Sequence, residues 1–225
     1  MKNYEIKEFI NRKLLVKWRM RKFPFENYMD KYKCIFIHIP KVAGTSILDV
    51  LGKNQGGRNH LPWYVYYTAN KYKFDKYFKF TFVRNPWDRA YSSYSYLFAG
   101  GNKQVDINLK NNIQAYQNFD HFVIDGLGSG SYRNHLLFLP QSEFVLGPQG
   151  DIVVDFLGYY ERLEDDFYKL MSLMKINRNL PQFNESFRGK KYKNAYLIQE
   201  SIDIIEQIYR QDIQFFNYNF ENSST

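Results

Sequence analysis

An apolar run at residues 34–39 passes directly into a segment of small and hydroxyl-bearing side chains at residues 40–47. The apolar run predicts a buried strand, and the amphipathic stretch at residues 46–51 predicts the start of a helix. The first N–H groups of a helix have no partner within the helix and carry the positive end of its dipole. The strand, turn and helix therefore predict an α/β fold with an anion-binding loop.

The loop contains three kinds of group that suit a phosphate. Gly44 lets the backbone approach a ligand closely, Thr45 and Ser46 offer hydroxyls, and Lys41 adds a mobile positive charge. A nucleotide-hydrolase loop would place its lysine next to the hydroxyl residue, whereas Lys41 precedes Thr45 by four positions, which argues against ordinary ATP or GTP hydrolysis. A plain strand-to-helix turn is the alternative interpretation. The predicted phosphate-binding residues are Lys41, Val42, Ala43, Gly44, Thr45 and Ser46.

A second strand, predicted at residues 79–83, ends at Arg84. Asn85 is suited to cap the next helix, Pro86 to occupy its first position, and Asp88 to place a negative charge in its first turn. The helix is predicted to continue to residue 98, with Ser92 eight residues after Arg84. We expect Arg84 and Ser92 to share a bound anion. Two anion sites at two strand ends indicate a nucleotide with two phosphate positions.

Residues 36–46 and 82–92 together resemble the paired cofactor motifs of carbohydrate O-sulfotransferases, in particular the heparan sulfate 2-O-sulfotransferase-like branch, which has bacterial members. Weaker matches at residues 140–141, 156–163 and 209–216 follow in the same order. The resemblance implies a sulfotransferase that uses 3′-phosphoadenosine 5′-phosphosulfate as donor and a carbohydrate hydroxyl as acceptor.

The resemblance also implies roles for particular residues. The loop at residues 41–46 would hold the 5′-phosphosulfate, while Arg84 and Ser92 would hold the 3′-phosphate. Basic loops close over the nucleotide in sulfotransferases, so Arg188 and Lys190 are predicted cofactor contacts; a solvated loop is the alternative for this pair.

Sulfuryl transfer to a hydroxyl needs a base, and histidine suits this task near pH 7. His60 lies between the two cofactor motifs, where the resembling enzymes place their catalytic histidine, so we predict His60 as base, with a surface-loop histidine as the alternative. Lys41 is predicted to stabilise the leaving oxygen. His38 is expected to be structural, His135 to contact the acceptor, and His121 to pack.

Two other functions remain open from the residues alone. One is a P-loop kinase that uses ATP, with Lys41 on its phosphates. The other is a non-catalytic protein of the same fold that binds a nucleotide or a glycan. The histidines and carboxylates do not show zinc-type spacing, so we predict a metal-independent enzyme.

The chain of 225 residues carries a net charge of +8, which favours acidic ligands such as a nucleotide. Lys and Arg are scattered along the chain, and we therefore do not predict nucleic acid as a partner. Residues 1–30 are predicted to form a basic helical extension, in which residues 12–22 contact a membrane surface or an acidic glycan, or form a solvated helix face. We expect a cytoplasmic or membrane-peripheral protein, and the sequence leaves its oligomeric state open.

Residues 31–225 are predicted to form a single catalytic domain, an α/β fold with a P-loop-like, mainly parallel sheet flanked by helices. Its lone cysteine, Cys34, is expected to be buried and inert. The remaining predictions are a polar loop at 99–115, helices at 119–127, 132–139, 163–174 and 195–216, a hairpin pairing 143–146 with 152–155, and a strand at 156–160.

Overall fold

The computed structural model describes residues 23–53, 59–101, 107–180 and 192–221. The basic stretch at 12–22 and the predicted nucleotide contacts Arg188 and Lys190 lie outside these ranges.

Three parallel strands form a sheet in the order β1 (Cys34–Phe36), β2 (Phe78–Val83) and β3 (Phe156–Tyr159). Strand β2 is central and pairs with both neighbours. Because all three strands are parallel, their carboxyl ends meet at one edge of the sheet, where ligands bind in folds of this type. The prediction of an α/β domain with a parallel sheet flanked by helices is confirmed.

Helices fill the connections between the strands. Helix α1 (Asn27–Tyr32) precedes β1. Between β1 and β2 lie α2 (Gly44–Val50), α3 (Trp63–Ala69) and α4 (Lys71–Lys76). Between β2 and β3 lie α5 (Pro86–Phe98), α6 (Ile107–Gln114), α7 (Phe119–His121), a π-helix (Phe122–Gly128) and α8 (Ser142–Val145). After β3 come a 3₁₀ turn (Tyr160–Arg162), α9 (Leu163–Leu173), a second 3₁₀ turn (Lys193–Ala195), α10 (Gln199–Ile208) and α11 (Arg210–Phe216).

The junction between β2 and α5 has the predicted form. The Asn85 side chain accepts a hydrogen bond from the Trp87 N–H at 3.0 Å, Pro86 occupies the first helical position, and Asp88 lies in the first turn. The helix ends at Phe98 as predicted. Local sequence signals therefore determine this junction, which places Arg84 at the end of the central strand.

The polar loop predicted at residues 99–115 is wrong in its second half, because α6 occupies residues 107–114. Ile113 of α6 is fully buried, and Leu109 packs against the core. Gln114 also donates a hydrogen bond from Nε2 to the Phe98 carbonyl at 3.0 Å. Packing against α5 thus stabilises a helix in a segment whose polar residues favour a loop.

The helix predicted at residues 132–139 is also wrong, because this segment forms irregular turns. Its backbone carbonyls bond to side chains from elsewhere. Arg89 donates to the carbonyls of Leu137 and Leu139, and the Tyr209 hydroxyl donates to the Phe138 carbonyl at 2.7 Å. These long-range bonds replace the helical ladder.

The predicted hairpin of residues 143–146 and 152–155 shrinks to a single antiparallel bridge between Leu146 and Ile152. Residues 142–145 form helix α8 instead, because Asp212 accepts hydrogen bonds from the N–H groups of Gln141 and Ser142 at its start. The helix predicted at 195–216 is divided into α10 and α11 at Tyr209, whose backbone leaves the helical region.

Two further predictions concern burial and membrane association. Cys34 is fully buried, and this burial raises the pKa of its thiol to about 12, as expected for an inert cysteine. Among the described helices, none is long and apolar enough to cross a membrane.

Candidate nucleotide site

The turn after β1, residues 40–46, is called the Lys41 loop below. Lys41 and Ala43 both have left-handed backbones, with φ of 70° and 63°. Helix α2 begins at Gly44, two residues earlier than predicted, with Ala43 as its N-cap. A left-handed conformation costs an ordinary L-residue about 1–2 kcal/mol, so the rest of the structure has to impose this turn. Alternating backbone conformations of this kind direct N–H groups towards a common point and form anion sites.

Gly44 is required for a reason that the sequence did not indicate. A Cβ atom at Gly44 would lie 1.8 Å from Nε2 of His38, which is closer than any real contact. The His38 ring is buried and stacks on Phe36 at a centroid distance of 5.1 Å. The absent side chain of Gly44 therefore makes room for a histidine ring beneath the Lys41 loop.

Arg84, which directly follows β2, contacts residues that follow β1 and β3. Its Nη1 donates a hydrogen bond to the Lys41 carbonyl at 3.0 Å, and its guanidinium carbon lies 4.1 Å from the centre of the Tyr160 ring, directly after β3. Its Nε donates to Asp88 at 2.8 Å. The two anion motifs that the sequence predicted separately thus meet at this edge of the sheet.

Arg84 is only 6% exposed, yet its charge is stabilised. Burial opposes the charge, but the carboxylate of Asp88, together with Tyr160 and Glu161, more than offsets burial, and the pKa of Arg84 is raised. The group formed by Arg84, Asp88, Tyr160 and Gln141 is called the Arg84 corner below.

Lys41 is in the opposite electrostatic situation. Burial, followed by the positive charge of Arg84, lowers the pKa of Lys41 to about 8. Its Nζ lies 4.3 Å from the centre of the Tyr96 ring. A buried lysine whose charge is destabilised by burial and by a neighbouring guanidinium is suited to an anion that binds both groups. The residues therefore fit a nucleotide with phosphate groups.

The hydroxyl residues and Val42 contribute in different ways. Ser92 lies on α5 one turn before Tyr96, and residues four apart share a helix face. Because Tyr96 contacts Lys41, Ser92 lies on the face of α5 that is turned towards the Lys41 loop. Ser92, Thr45 and Ser46 are all partly exposed. Val42 is fully buried, so only its backbone can serve a ligand.

The ring of His38 contacts both His60 and the Lys41 loop. The His38 and His60 ring centroids are 4.1 Å apart, and the same His38 ring covers Gly44. His60 Nδ1 is 2.9 Å from the His38 carbonyl oxygen, which can only accept a hydrogen bond. A neutral His60 must therefore carry its proton on Nδ1, which makes Nε2 the basic nitrogen.

The other two histidines make local contacts. His135 Nδ1 accepts a hydrogen bond from the Leu137 N–H at 3.3 Å, and its ring lies 6.0 Å from that of Phe138. His121 closes the short helix α7, where its N–H bonds to the Asn118 side chain.

Gln141 and Glu161 lie within the weaker family matches of the sequence, but they were not identified there as the residues that hold the backbone after β2. The Gln141 side chain bonds to both backbone polar groups of Arg84. Glu161, whose pKa is raised by burial, accepts from the Asn85 N–H at 2.6 Å and from the Tyr218 hydroxyl at 3.0 Å. These contacts span more than fifty residues, so local patterns do not indicate them. Tyr96 was detectable, because it lies four residues after Ser92.

Within the ranges that the structure describes, we find no cluster of three or more His, Cys, Asp or Glu residues that could hold a metal ion.

Comparison with known proteins gives three findings. Residues 27–219 match the profile of the sulfotransferase family. An uncharacterized protein of Archaeoglobus fulgidus is 29% identical over 118 residues, which cover 52% of this chain and 84% of that protein. No solved structure matches significantly.

Proposed function

This chain belongs to the sulfotransferase family, and on that premise we propose that it moves a sulfuryl group from 3′-phosphoadenosine 5′-phosphosulfate to a carbohydrate hydroxyl. Family membership supports sulfuryl transfer in general, and the family generally uses this donor. The likeness of residues 36–46 and 82–92 to carbohydrate O-sulfotransferase motifs supports the class of acceptor. Residues 12–22 are proposed to contact a membrane surface or an acidic glycan.

The observation that carries the proposal is the contact between the two anion motifs. Arg84 Nη1 lies 3.0 Å from the Lys41 carbonyl oxygen, so a guanidinium and a lysine loop border one site. A nucleotide with phosphates on both its 3′ and 5′ positions matches two cationic groups at neighbouring strand ends. We assign the 5′-phosphosulfate to residues 41–46 and the 3′-phosphate to Arg84 and Ser92.

The proposed mechanism uses groups with different tasks. The donor supplies a sulfuryl group whose bond to the bridging oxygen breaks on transfer to the acceptor hydroxyl. His60 accepts the hydroxyl proton at Nε2, because its Nδ1 is committed to the His38 carbonyl. Lys41 stabilises the negative charge that develops on the leaving oxygen, together with backbone N–H groups of the loop. Contact of the same His38 ring with His60 and with Gly44 of the loop supports this assignment.

The first test is calorimetric titration of the wild-type protein with adenosine 3′,5′-bisphosphate, adenosine 5′-phosphate and magnesium ATP. We expect the bisphosphate to bind most tightly, by about 10- to 100-fold over the monophosphate, since a charge-assisted contact contributes about 1.5–3 kcal/mol. Tighter binding of magnesium ATP would favour the kinase hypothesis and contradict ours. A screen of carbohydrates with radiolabelled donor then tests transfer itself.

A non-catalytic protein would give a different pattern. It would bind the bisphosphate with the same preference but would not label any acceptor. It would also fail to hydrolyse the donor slowly in the absence of acceptor, a side reaction that an active Lys41 loop should permit.

A further inference from the structure

The backbone of Arg84 lies just beyond the end of the sheet. Strand β2 pairs with β3 as far as Val83, which lies opposite Tyr159. Arg84 is the next residue and is 6% exposed, so its N–H and C=O need partners other than water. The strand ladder that would supply them has ended.

The side chain of Gln141 supplies both partners. Its Oε1 accepts from the Arg84 N–H at 2.9 Å, and its Nε2 donates to the Arg84 carbonyl at 2.8 Å. Gln141 is fully buried. A carboxamide that accepts and donates in this way satisfies both backbone groups of Arg84, as two peptide groups of a neighbouring strand would do.

Gln141 is itself fixed by residues distant in sequence. Asp212 accepts from the Gln141 backbone N–H at 2.8 Å, and Asp212 is fully buried. Directly before Gln141, the carbonyls of residues 137–139 are held by the buried Arg89 and by Tyr209. These hydrogen bonds hold the backbone of Gln141 and of the residues before it in place.

We propose that Gln141 is a positioning residue for the 3′-phosphate: by pairing with the Arg84 backbone, it sets the direction in which the Arg84 guanidinium points. This inference rests on the proposed function and deepens it. The guanidinium follows its backbone, so a rotation after Val83 would displace Nη1 from the Lys41 carbonyl and the whole fork from its ligand. Selectivity for a 3′-phosphate then depends on a side chain that never touches the nucleotide.

The test compares Gln141→Met with wild type by calorimetry. Methionine has a similar length and shape but cannot form the two hydrogen bonds. The measured quantity is selectivity, the dissociation constant of adenosine 5′-phosphate divided by that of adenosine 3′,5′-bisphosphate. We expect selectivity to fall by roughly 3- to 10-fold through weaker bisphosphate binding, with affinity for the monophosphate changed less than about twofold.

Ser201→Ala is the matched control for the loss of a buried hydrogen bond. Ser201 is fully buried, and its hydroxyl bonds to the buried Asp120, as Gln141 bonds within a buried network that includes Asp212. Ser201→Ala should lower the melting temperature while leaving selectivity at the wild-type value. An equal loss of selectivity in both variants would reduce Gln141 to a general stabilising residue and overturn the proposal.

If Gln141→Met does not fold, Gln141→Asn replaces it. Asparagine keeps the carboxamide on an arm shorter by one methylene, so it can reach one of the Arg84 backbone groups, and we expect an intermediate loss of selectivity. Unchanged selectivity in a folded Gln141 variant would overturn the positioning role of Gln141 and leave the proposed function intact. Wild-type protein without preference for the bisphosphate would instead overturn the proposed function.

Discussion

The Arg84 corner and the Lys41 loop border the same site, but they are built on opposite principles. In the corner, the charge of Arg84 is balanced by Asp88, its ring partner is Tyr160, and its backbone is bonded to Gln141. In the loop, Lys41 and Ala43 have left-handed backbones, and the pKa of Lys41 falls to about 8. The corner is complete in the protein, whereas the loop is electrostatically unfavourable until an anion binds.

The difference separates two tasks that one cationic site must perform. A group that recognises the ground state benefits from fixed geometry and a stable charge, and this is the task proposed for Arg84. A group that accelerates the reaction has to interact more strongly with the charge that develops in the transition state than with the bound donor, and this is the task proposed for Lys41. Four predictions test this division.

The largest expected effect is on turnover at the loop side of the site. Loss of a general base typically costs about 10²- to 10⁴-fold in rate, so His60→Ala should reduce turnover by that order. Affinity for adenosine 3′,5′-bisphosphate should change by less than roughly threefold, because the task proposed for His60 concerns the acceptor and not the nucleotide. Initial rates and calorimetry on the same preparation measure both quantities.

The pH profile and a second histidine serve as controls for His60. Wild-type activity should rise with pH through the range in which histidine titrates, about pH 6 to 7, and this limb should vanish in His60→Ala. His121→Ala, which alters a histidine of α7, should retain both rate and profile. A His60 variant with a near-normal rate would assign the base to another group.

The next largest effect belongs to the Arg84 corner. Arg84→Ala removes a charge-assisted contact of about 1.5–3 kcal/mol, so affinity for adenosine 3′,5′-bisphosphate should fall by about 10- to 100-fold. Affinity for adenosine 5′-phosphate should hardly change. Arg84→Lys keeps the charge but loses the fork, and it should recover only part of the affinity. Equal weakening of both nucleotides would contradict the assignment of Arg84 to the 3′-phosphate.

A smaller effect is expected from Gly44→Ala, which connects the loop with the base. Its Cβ would collide with the His38 ring, and overpacking of this kind costs about 1–3 kcal/mol. Displacement of His38 would also move His60, whose ring it contacts, so turnover should fall more than stability explains. Thermal melting and initial rates measure the two losses.

Gly158→Ala gives the matched comparison for Gly44→Ala. A Cβ at Gly158 would lie 2.4 Å from the Phe82 ring, in the sheet rather than in the loop. This variant should lose stability to a similar degree, with turnover following the folded fraction. If the two variants showed the same ratio of lost turnover to lost stability, the role of His38 beneath the loop would be disproved.

The smallest effect is a gain in stability from Lys41→Met. The folded-state pKa of Lys41, about 8, lies below its ordinary value of 10.5, so the unfolded chain binds this proton more tightly. The positive charge of Lys41 therefore lowers the free energy of unfolding by its full amount below pH 8. This loss of stability decreases as the pH rises towards 10.5. We expect Lys41→Met to be more stable by about 1–2 kcal/mol at pH 7, or roughly 2–8 °C in melting temperature.

The same variant should lose most of its turnover, so stability and activity should change in opposite directions. The gain in melting temperature should shrink when the measurement is repeated at pH 10. Lys53→Met is a comparison, since Lys53 forms an ion pair with Glu26 and its removal should not stabilise the protein. A less stable Lys41→Met at pH 7 would show that the loop is not strained electrostatically.

The sequence predicted well those features that depend on neighbouring residues. The sequence predicted that Asn85 caps α5, that Pro86 occupies its first position and that the helix ends at Phe98. Capping and turn preferences act within a few residues, so such features can be predicted locally. The strand ends that carry Lys41 and Arg84 were likewise evident from apolar runs followed by loop residues. The sequence also predicted a mainly parallel sheet, but it gave no prediction of the strand order β1–β2–β3.

The errors between residues 132 and 146 share a physical cause. Residues 132–139 have helical spacing, but Arg89 and Tyr209 bond to their carbonyls from elsewhere in the chain. The role of Gln141 depends on Asp212, which is 71 residues away in sequence. A buried polar group forms whichever bond the tertiary structure offers, and one sequence does not reveal that partner.

The hydrogen bonds of the Arg84 corner also determine how slowly it opens. The backbone N–H groups of Arg84, Asn85, Gln141 and Ser142 all donate to side chains: those of the fully buried Gln141 and Asp212, and that of the half-buried Glu161. Amide hydrogens bonded in this way exchange with solvent only when the surrounding structure opens, so this junction should retain its protons as long as the central strand does. The connection between β2 and α5 should therefore open as rarely as the sheet does, so the surface proposed to bind the nucleotide would be formed before the nucleotide arrives.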